Sequence, residues 1–283
     1  MLWLAAFVLG RRVKVTPPVR IDDPDDPRIA GYHAIRERDL AGRGHRFVAE
    51  GKVVLNVLFG ARRFEAESAL ILDRKLAGAA ETLTLAPSNM PVYVASQAVM
   101  DAIAGFHIHR GVLALGRRRP DESADALLAG LPDDALVVAL SGISNHDNVG
   151  AIFRNAAAFE ADAVLLDATC CDPLYRKAIR VSVGAALKVP FATLDDETEL
   201  FATLDRNGFL QIALSPAGRD DIADVRREGR TALWLGSEGH GLPAATMARM
   251  RTVRIAMSDK FDSLNVATAG AIALHRLWRG IRP

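Results

Sequence analysis

The chain has 283 residues, of which 50% are hydrophobic and 24% charged, with a formal net charge of +1. That length accommodates two domains of about 100–200 residues each, and the composition is that of an ordinary globular chain. The adjacent pair Cys170-Cys171 offers neither metal-ligand spacing nor a disulfide framework. The small net charge hides an asymmetry: residues 1–120 hold 18 Lys+Arg against 12 Asp+Glu, while residues 121–283 hold 17 against 22. A basic excess confined to one half marks a candidate nucleic-acid face.

Met1–Gly10 is apolar but too short to span a bilayer. Basic residues follow it, at Arg11 and Arg12, where a signal peptide would have them precede its core. Residues 1–20 therefore read as an extension, and the chain as cytoplasmic with no membrane association. Ile21–Pro27 is a charged, proline-broken entry, and Arg28–Leu40 has the pattern of a helix. Phe47–Ala49 suits a short strand, and Lys52–Phe59 is apolar with either helical or extended character. Ala69–Leu72, Val92–Val94 and Val112–Leu115 are further strands, with a helix over Gln97–Ala104. This alternation predicts a small α/β domain over residues 21–118.

Gly116–Asp121, with three consecutive arginines and a proline, marks the boundary. The arginines suit RNA phosphates and a solvated linker equally well. Residues 119–132 are expected to be a linker, and residues 133–283 the second domain. There, strands fit Leu136–Leu140, Ala163–Leu166, Gln211–Leu214, Ala232–Leu235 and Arg254–Met257. Helices fit Gly150–Phe159, Leu174–Ala186, Pro243–Met250 and Leu264–Arg279. Near-continuous apolar strands alternating with helices predict a parallel sheet covered on both faces. The turn Gly236-x-x-Gly239-x-Gly241 follows a strand, but its spacing is wrong for dinucleotide binding and no acidic ribose ligand follows; there is no Walker A sequence either.

Three polar islands interrupt the apolar pattern of the second domain: Asn148–Asn155, Gly236–Pro243 and Asp262–Val266. In the first, Asn148 stands at a strand-to-helix junction, where its side chain can hold a turn or cap the helix. Arg154 follows Gly150 by one helical turn and points towards the same end of the sheet; alone, it would be a surface ion-pairing residue. In the second, the glycines permit a tight loop whose backbone groups could wrap a flat ligand, with Glu238 as its one acid. In the third, Ser263 is a plausible cap for the last helix.

In order and spacing, these islands resemble motifs 1, 2 and 3 of the SpoU/TrmH-type RNA 2′-O-ribose methyltransferases of the SPOUT superfamily. Asp172-Pro173 with Arg180-x-Ser182-x-Gly184 adds to the resemblance, while Glu160, Ala256 and Ala267 depart from frequent family residues. The resemblance implies a domain with a deep trefoil knot, formed by the loop 236–241 and the segment 255–267 around S-adenosyl-L-methionine. It implies catalytic-site roles for Asn148, Arg154, Glu238, Ser263 and Asn265, and cofactor contacts from Gly236, Ile255, Met257 and Leu264, with no metal. It also implies a homodimer and an RNA partner, tRNA or rRNA, but not DNA. The first domain resembles, more weakly, the ribosomal-protein-like substrate-binding module that often precedes the knot, through Phe47–Gly51 and His109–Ala114.

A guanidinium normally stays protonated, so Arg154 suits a phosphate clamp that stabilises a developing alkoxide better than it suits a base. Ser263 or a water would relay the proton, with Asn148 and Glu238 positioning these groups. Two other readings stand beside this one: a non-catalytic RNA-binding or ribosome-assembly protein that retained the knot, and a methyltransferase acting on a base.

Overall fold

In a computed structural model of the chain, the described residues are 17–33, 45–105, 107–119, 123–258, 260 and 262–280, with the backbone of Phe7–Val8 (β1) and Arg11–Arg12 (β2), a short antiparallel pair. Most of the expected extension, and residues 34–40 of the expected first helix, lie outside the described residues. That helix begins as a 3-10 helix, Pro27–Tyr32. The chain separates into two compact units: Met1–Pro120 with Leu174–Lys188, and Asp121–Pro173 with Val189–Pro283.

The first unit is built on a five-stranded mixed sheet. Its strands are Val19–Ile21 (β3), Arg46–Glu50 (β4), Glu65–Leu72 (β5), Val92–Ala95 (β6) and Val112–Arg117 (β7), in the order β3-β6-β5-β7-β4. Lys52–Ala61 is a helix (α1), which settles its ambiguous pattern; Val54, Leu55, Leu58 and Phe59 form its buried stripe. Leu76–Thr84 (α2) and Gln97–Ala104 (α3) complete the unit, the latter capped by Ser96 Oγ, which accepts from Val99 N–H at 3.3 Å. The expected long helix over Leu174–Ala186 is broken. Arg176–Val181 (α6, following the helices of the second unit described below) ends where Val183 and Gly184 take φ of +54° and +88°, a left-handed pair that no α-helix continues through. This segment is tied to β4 by a buried ion pair, Arg176 to Glu50 at 2.8 Å.

The second unit holds a seven-stranded sheet in which every pairing is parallel. Its strands are Leu136–Leu140 (β8), Ala163–Asp167 (β9), Phe191–Leu194 (β10), Leu210–Leu214 (β11), Asp220–Asp221 (β12), Thr231–Leu235 (β13) and Arg251–Arg254 (β14). Their order is β10-β9-β8-β13-β11-β14-β12. β8, β9 and β13 are buried at every position, as the apolar runs predict for a sheet covered on both faces. Trp234 is fully buried at its centre, with its indole N–H donating to Gln211 Oε1 at 3.0 Å. The helices are Ala124–Ala129 (α4), His146–Ala158 (α5), Glu197–Arg206 (α7), Ala244–Met247 (α8) and Val266–Leu277 (α9). α4 forms inside the stretch expected to be a linker, and its Leu128 is buried in the core of this unit. Because all seven strands run the same way, the loops that carry the three islands emerge at the same end of the sheet. In open parallel sheets, ligands bind beyond the carboxyl ends of the strands. Among the described residues no helix is long and apolar enough to cross a membrane.

Candidate functional site

β13 ends in a loop whose shape leaves no choice at its first residue. A Cβ added to Gly236 would lie 2.5 Å from both Gly241 C and Leu242 N, atoms of the backbone that cannot move aside cheaply. The loop folds back on itself: Gly241 N–H donates to Ser237 O at 2.9 Å, and the two residues form an isolated antiparallel bridge. Its outer part, Glu238 to Gly241, is exposed. The wall of the site here is therefore mostly main chain.

The strand expected over Arg254–Met257 lies three residues earlier, at Arg251–Arg254. Ile255 and Met257 instead belong to the loop that follows, where both are half-buried and line a cavity. The third island leads into α9, and it is Asn265 that caps this helix, where Ser263 was the expected cap. The Asn265 side-chain oxygen accepts from the N–H groups of Ala267 at 3.0 Å and Thr268 at 3.2 Å. Ser263 and Leu264 precede the cap, both exposed.

Asn148 is not a cap either. Asn145 caps α5 by accepting from Asp147 N–H at 2.9 Å, and Asn148 sits in the first turn, 7% exposed. Its Oδ1 accepts a hydrogen bond from Asn265 Nδ2 at 3.0 Å. A second bond ties the same two helices: Asn155 Nδ2 donates to Ala267 O at 2.9 Å.

These pieces close around a cavity of about 550 Å³. Gly236, Glu238, Ile255, Met257, Ser263, Leu264 and Asn265 all line it, and Asn148 reaches it through Asn265. The other walls come from the ends of β11 and β13 and from Met247 after the glycine loop. Arg154 stands apart: it is exposed on α5 and does not line the cavity. Among the described residues no group of three or more His, Cys, Asp or Glu could hold a metal ion.

Two buried or half-buried carboxylates escaped the sequence reading. Asp167, 3% exposed at the end of β9, accepts from Thr169 Oγ1 at 2.6 Å, from Thr169 N–H at 3.0 Å, and from Gly142 N–H. Burial works against its charge, but these hydrogen bonds prevail and hold its pKa below the usual value. The loop it fixes abuts the site, since a Cβ on Gly142 would come within 3.3 Å of Ser237 Cβ. Glu197, at the start of α7, accepts from Ser141 Oγ at 2.6 Å and from Thr246 Oγ1, bridging the same loop to α8. The neighbouring Cys170 thiol is pushed up to about 12 by burial and by Asp167, so it stays protonated and unreactive at neutral pH.

A family model described as the SpoU rRNA Methylase family matches residues 135–275, a span that runs from β8 into α9 and contains all three islands. A protein of Mycobacterium bovis, described as an uncharacterised tRNA/rRNA methyltransferase, is 42% identical over 267 residues, 91% of this chain and 90% of its own. A 23S rRNA (guanosine-2′-O-)-methyltransferase of Acinetobacter baylyi is 30% identical over 199 residues, 68% of this chain and 80% of its own. The crystal structure of an AdoMet-bound rRNA methyltransferase from Sinorhizobium meliloti shares the fold, with a TM-score of 0.76 over 91% of this chain and 96% of that one at 20% identity. Sequence similarity over nine-tenths of its length and a shared fold agree with the motifs: this chain belongs to the SpoU methylase family.

Proposed function

We propose that this protein is an S-adenosyl-L-methionine-dependent methyltransferase that acts on a ribose 2′-hydroxyl of tRNA or rRNA. One observation carries the reading: Asn148 and Asn265, 117 residues apart in the first and third islands, are hydrogen-bonded at the wall of one cavity that residues of the second and third islands line. The ribose specificity draws support from the Acinetobacter relative, whose name states that chemistry.

The cavity suits the cofactor. About 550 Å³ falls within the range of ligand sites, roughly 300–1,000 Å³. Gly236 gives a main-chain wall against which a flat adenosine can lie, and Ile255, Met257 and Leu264 supply apolar contacts. When bound, S-adenosylmethionine supplies a methyl group on a sulfonium centre. The chain's own residues then have to orient the acceptor hydroxyl, exclude competing water and manage one proton. Asn148 and Asn265 hold one another in place. Ser263, exposed at the cavity wall, relays the proton, and Glu238 stands at the rim. Arg154 is a phosphate clamp that also stabilises charge developing on the ribose oxygen. A 2′-hydroxyl acceptor requires RNA and excludes DNA.

Three further elements belong to the proposal. The segment 255–267 passes through the loop that contains 236–241 as a trefoil knot. The first unit, which carries the basic excess, contributes most of the RNA affinity. The chain works as a cytoplasmic homodimer paired through the second unit: Arg154 lies outside the cavity of its own chain, and Ile272 leaves an apolar side chain on α9 37% exposed. Calorimetry with S-adenosylmethionine, with and without chelator, tests the cofactor site. Binding unaffected by chelator is expected, and no binding in either case would overturn it.

A further inference from the structure

A second cavity, of about 670 Å³, lies wholly within the first unit, and every charged residue that lines it is positive. Lys52 opens α1, Arg74 and Lys75 precede α2, Arg110 leads into β7, and Arg180 comes from α6. Two nearby carboxylates already have partners: Glu50 pairs with Arg176 at 2.8 Å, and Asp73 with Arg20 at 3.6 Å and with the backbone N–H of Arg74 at 2.6 Å. Arg74 donates to the neutral Gln97 Oε1 at 2.8 Å. Among the described residues, Lys52, Lys75, Arg110 and Arg180 have no carboxylate partner.

Folding alone does not account for this placement. The start of a helix carries partial positive charge and favours acids. α1 and α2 have neither an acid in the first turn nor a side-chain cap, and both begin among cations. The Arg110 guanidinium presses on the start of α1, its Nη1 3.2 Å from where a Cβ on Gly51 would lie. Like charges gathered at helix starts repel one another unless an anion binds between them, and that is the arrangement that holds phosphate groups. The cavity is not purely polar. Val53 and Val183, 58% and 36% exposed, lie among the cations and offer apolar contact to a ribose or base beside a phosphate. A free inorganic anion has no use for them.

We propose that this cavity binds the phosphodiester backbone of the RNA substrate, with Lys52, Lys75, Arg110 and Arg180 as the phosphate contacts. The inference rests on the reading of the chain as an RNA methyltransferase and gives that substrate a specific foothold.

The test compares two exposed triple variants of the full chain. One removes cavity charges (Lys52→Ala, Lys75→Ala, Arg180→Ala); the other removes as many charges elsewhere (Lys188→Ala, Arg219→Ala, Arg226→Ala). Binding of bulk tRNA and bulk rRNA is measured over a salt series. The cavity variant should bind about tenfold more weakly, with a log–log salt slope shallower by about 2, as expected for the loss of three phosphate contacts. The other variant should stay near wild type. Equal weakening in both variants, or wild-type binding by the cavity variant, would overturn the site. So would tripolyphosphate that binds the cavity without displacing RNA, since that describes a free-anion site. S-adenosylmethionine titration of the same proteins separates the two claims: absent cofactor binding alongside cavity-dependent RNA binding would sink the methyltransferase reading and leave the RNA site standing.

Discussion

Asn265 Nδ2 donates to Asn148 Oδ1 at 3.0 Å, and the same Asn265 accepts with its side-chain oxygen from two N–H groups of α9. The two roles fix the amide orientation: the oxygen must face the helix, so the NH₂ must face Asn148. One residue thus starts a helix and links two islands that are remote in sequence. Asn265→Ala should cost about 2 kcal/mol, combining a lost cap and a buried acceptor left unpaired. Asn265→Asp keeps the cap, and the Asn148 amide can turn its NH₂ towards the new carboxylate, so the cost should be smaller. A double-mutant cycle by urea denaturation with Asn148→Ala should show a coupling of about 0.5–3 kcal/mol. Strict additivity would deny the link.

Gly236→Ala places a methyl group against the backbone of Gly241 and Leu242 at 2.5 Å. The loop must shift, and with it the main-chain wall of the cavity. We expect S-adenosylmethionine affinity to fall by about tenfold or more, some 1.4 kcal/mol, with the circular dichroism spectrum unchanged. Wild-type affinity by calorimetry would show that the loop is not part of the cofactor site.

Arg154 is exposed and makes no cavity wall, so its removal should leave both fold and cofactor binding intact. Arg154→Ala should abolish methyl transfer to RNA while S-adenosylmethionine affinity stays nearly constant. Arg154→Lys should also be poor, because an ammonium lacks the planar fork that grips a phosphate. Activity close to wild type in either variant would contradict the clamp.

Asp167 makes the protein sensitive to acid. Its folded pKa is depressed, so its stabilising contribution is fully present above the unfolded value, about 3.9, and disappears as pH falls through the folded value. Denaturant midpoints should therefore drop on the acid side of about pH 4, and Asp167→Asn should flatten that drop. At neutral pH the same substitution should cost about 2–3 kcal/mol, since several donors lose a charged acceptor. An acid limb of the same steepness in Asp167→Asn would shift the cause to other carboxylates.

Much of this arrangement was legible in the sequence. Leu136–Leu140 is a strand at every residue that its apolar run predicts, because a strand buried on both faces has no polar positions to blur its ends. Ile255 and Met257 carry the same apolar signal of a strand, yet they line a cavity. Apolar character reports burial from water and does not distinguish a sheet from a ligand wall. Ser263 and Asn265 are both capping residue types, and only the backbone trajectory selects Asn265. The break after Val181 rests on a valine at positive φ, which no propensity scale favours. Asp167 and Glu197 were missed because their roles lie in their partners: Gly142 is 25 residues from Asp167 and Thr246 is 49 from Glu197. Glu160, one of the departures from frequent family residues, takes the left-handed conformation at φ +52° just beyond the end of α5, a conformation that glycine adopts most readily.

The homodimer is tested by light scattering at micromolar concentration. A mass of twice 30.5 kDa is expected. A strictly monomeric preparation that still methylates RNA would rule out the paired arrangement.

The most direct test of the whole account is methyl transfer itself. Purified protein is incubated with radiolabelled S-adenosylmethionine and with tRNA and rRNA from cells lacking the protein, and the labelled RNA is hydrolysed with alkali. A methylated 2′-oxygen cannot attack its own phosphodiester, so the account predicts that label is recovered in alkali-resistant dinucleotides. Label recovered on a base in ordinary mononucleotides, or no transfer to either RNA by protein that binds both cofactor and RNA, would contradict it.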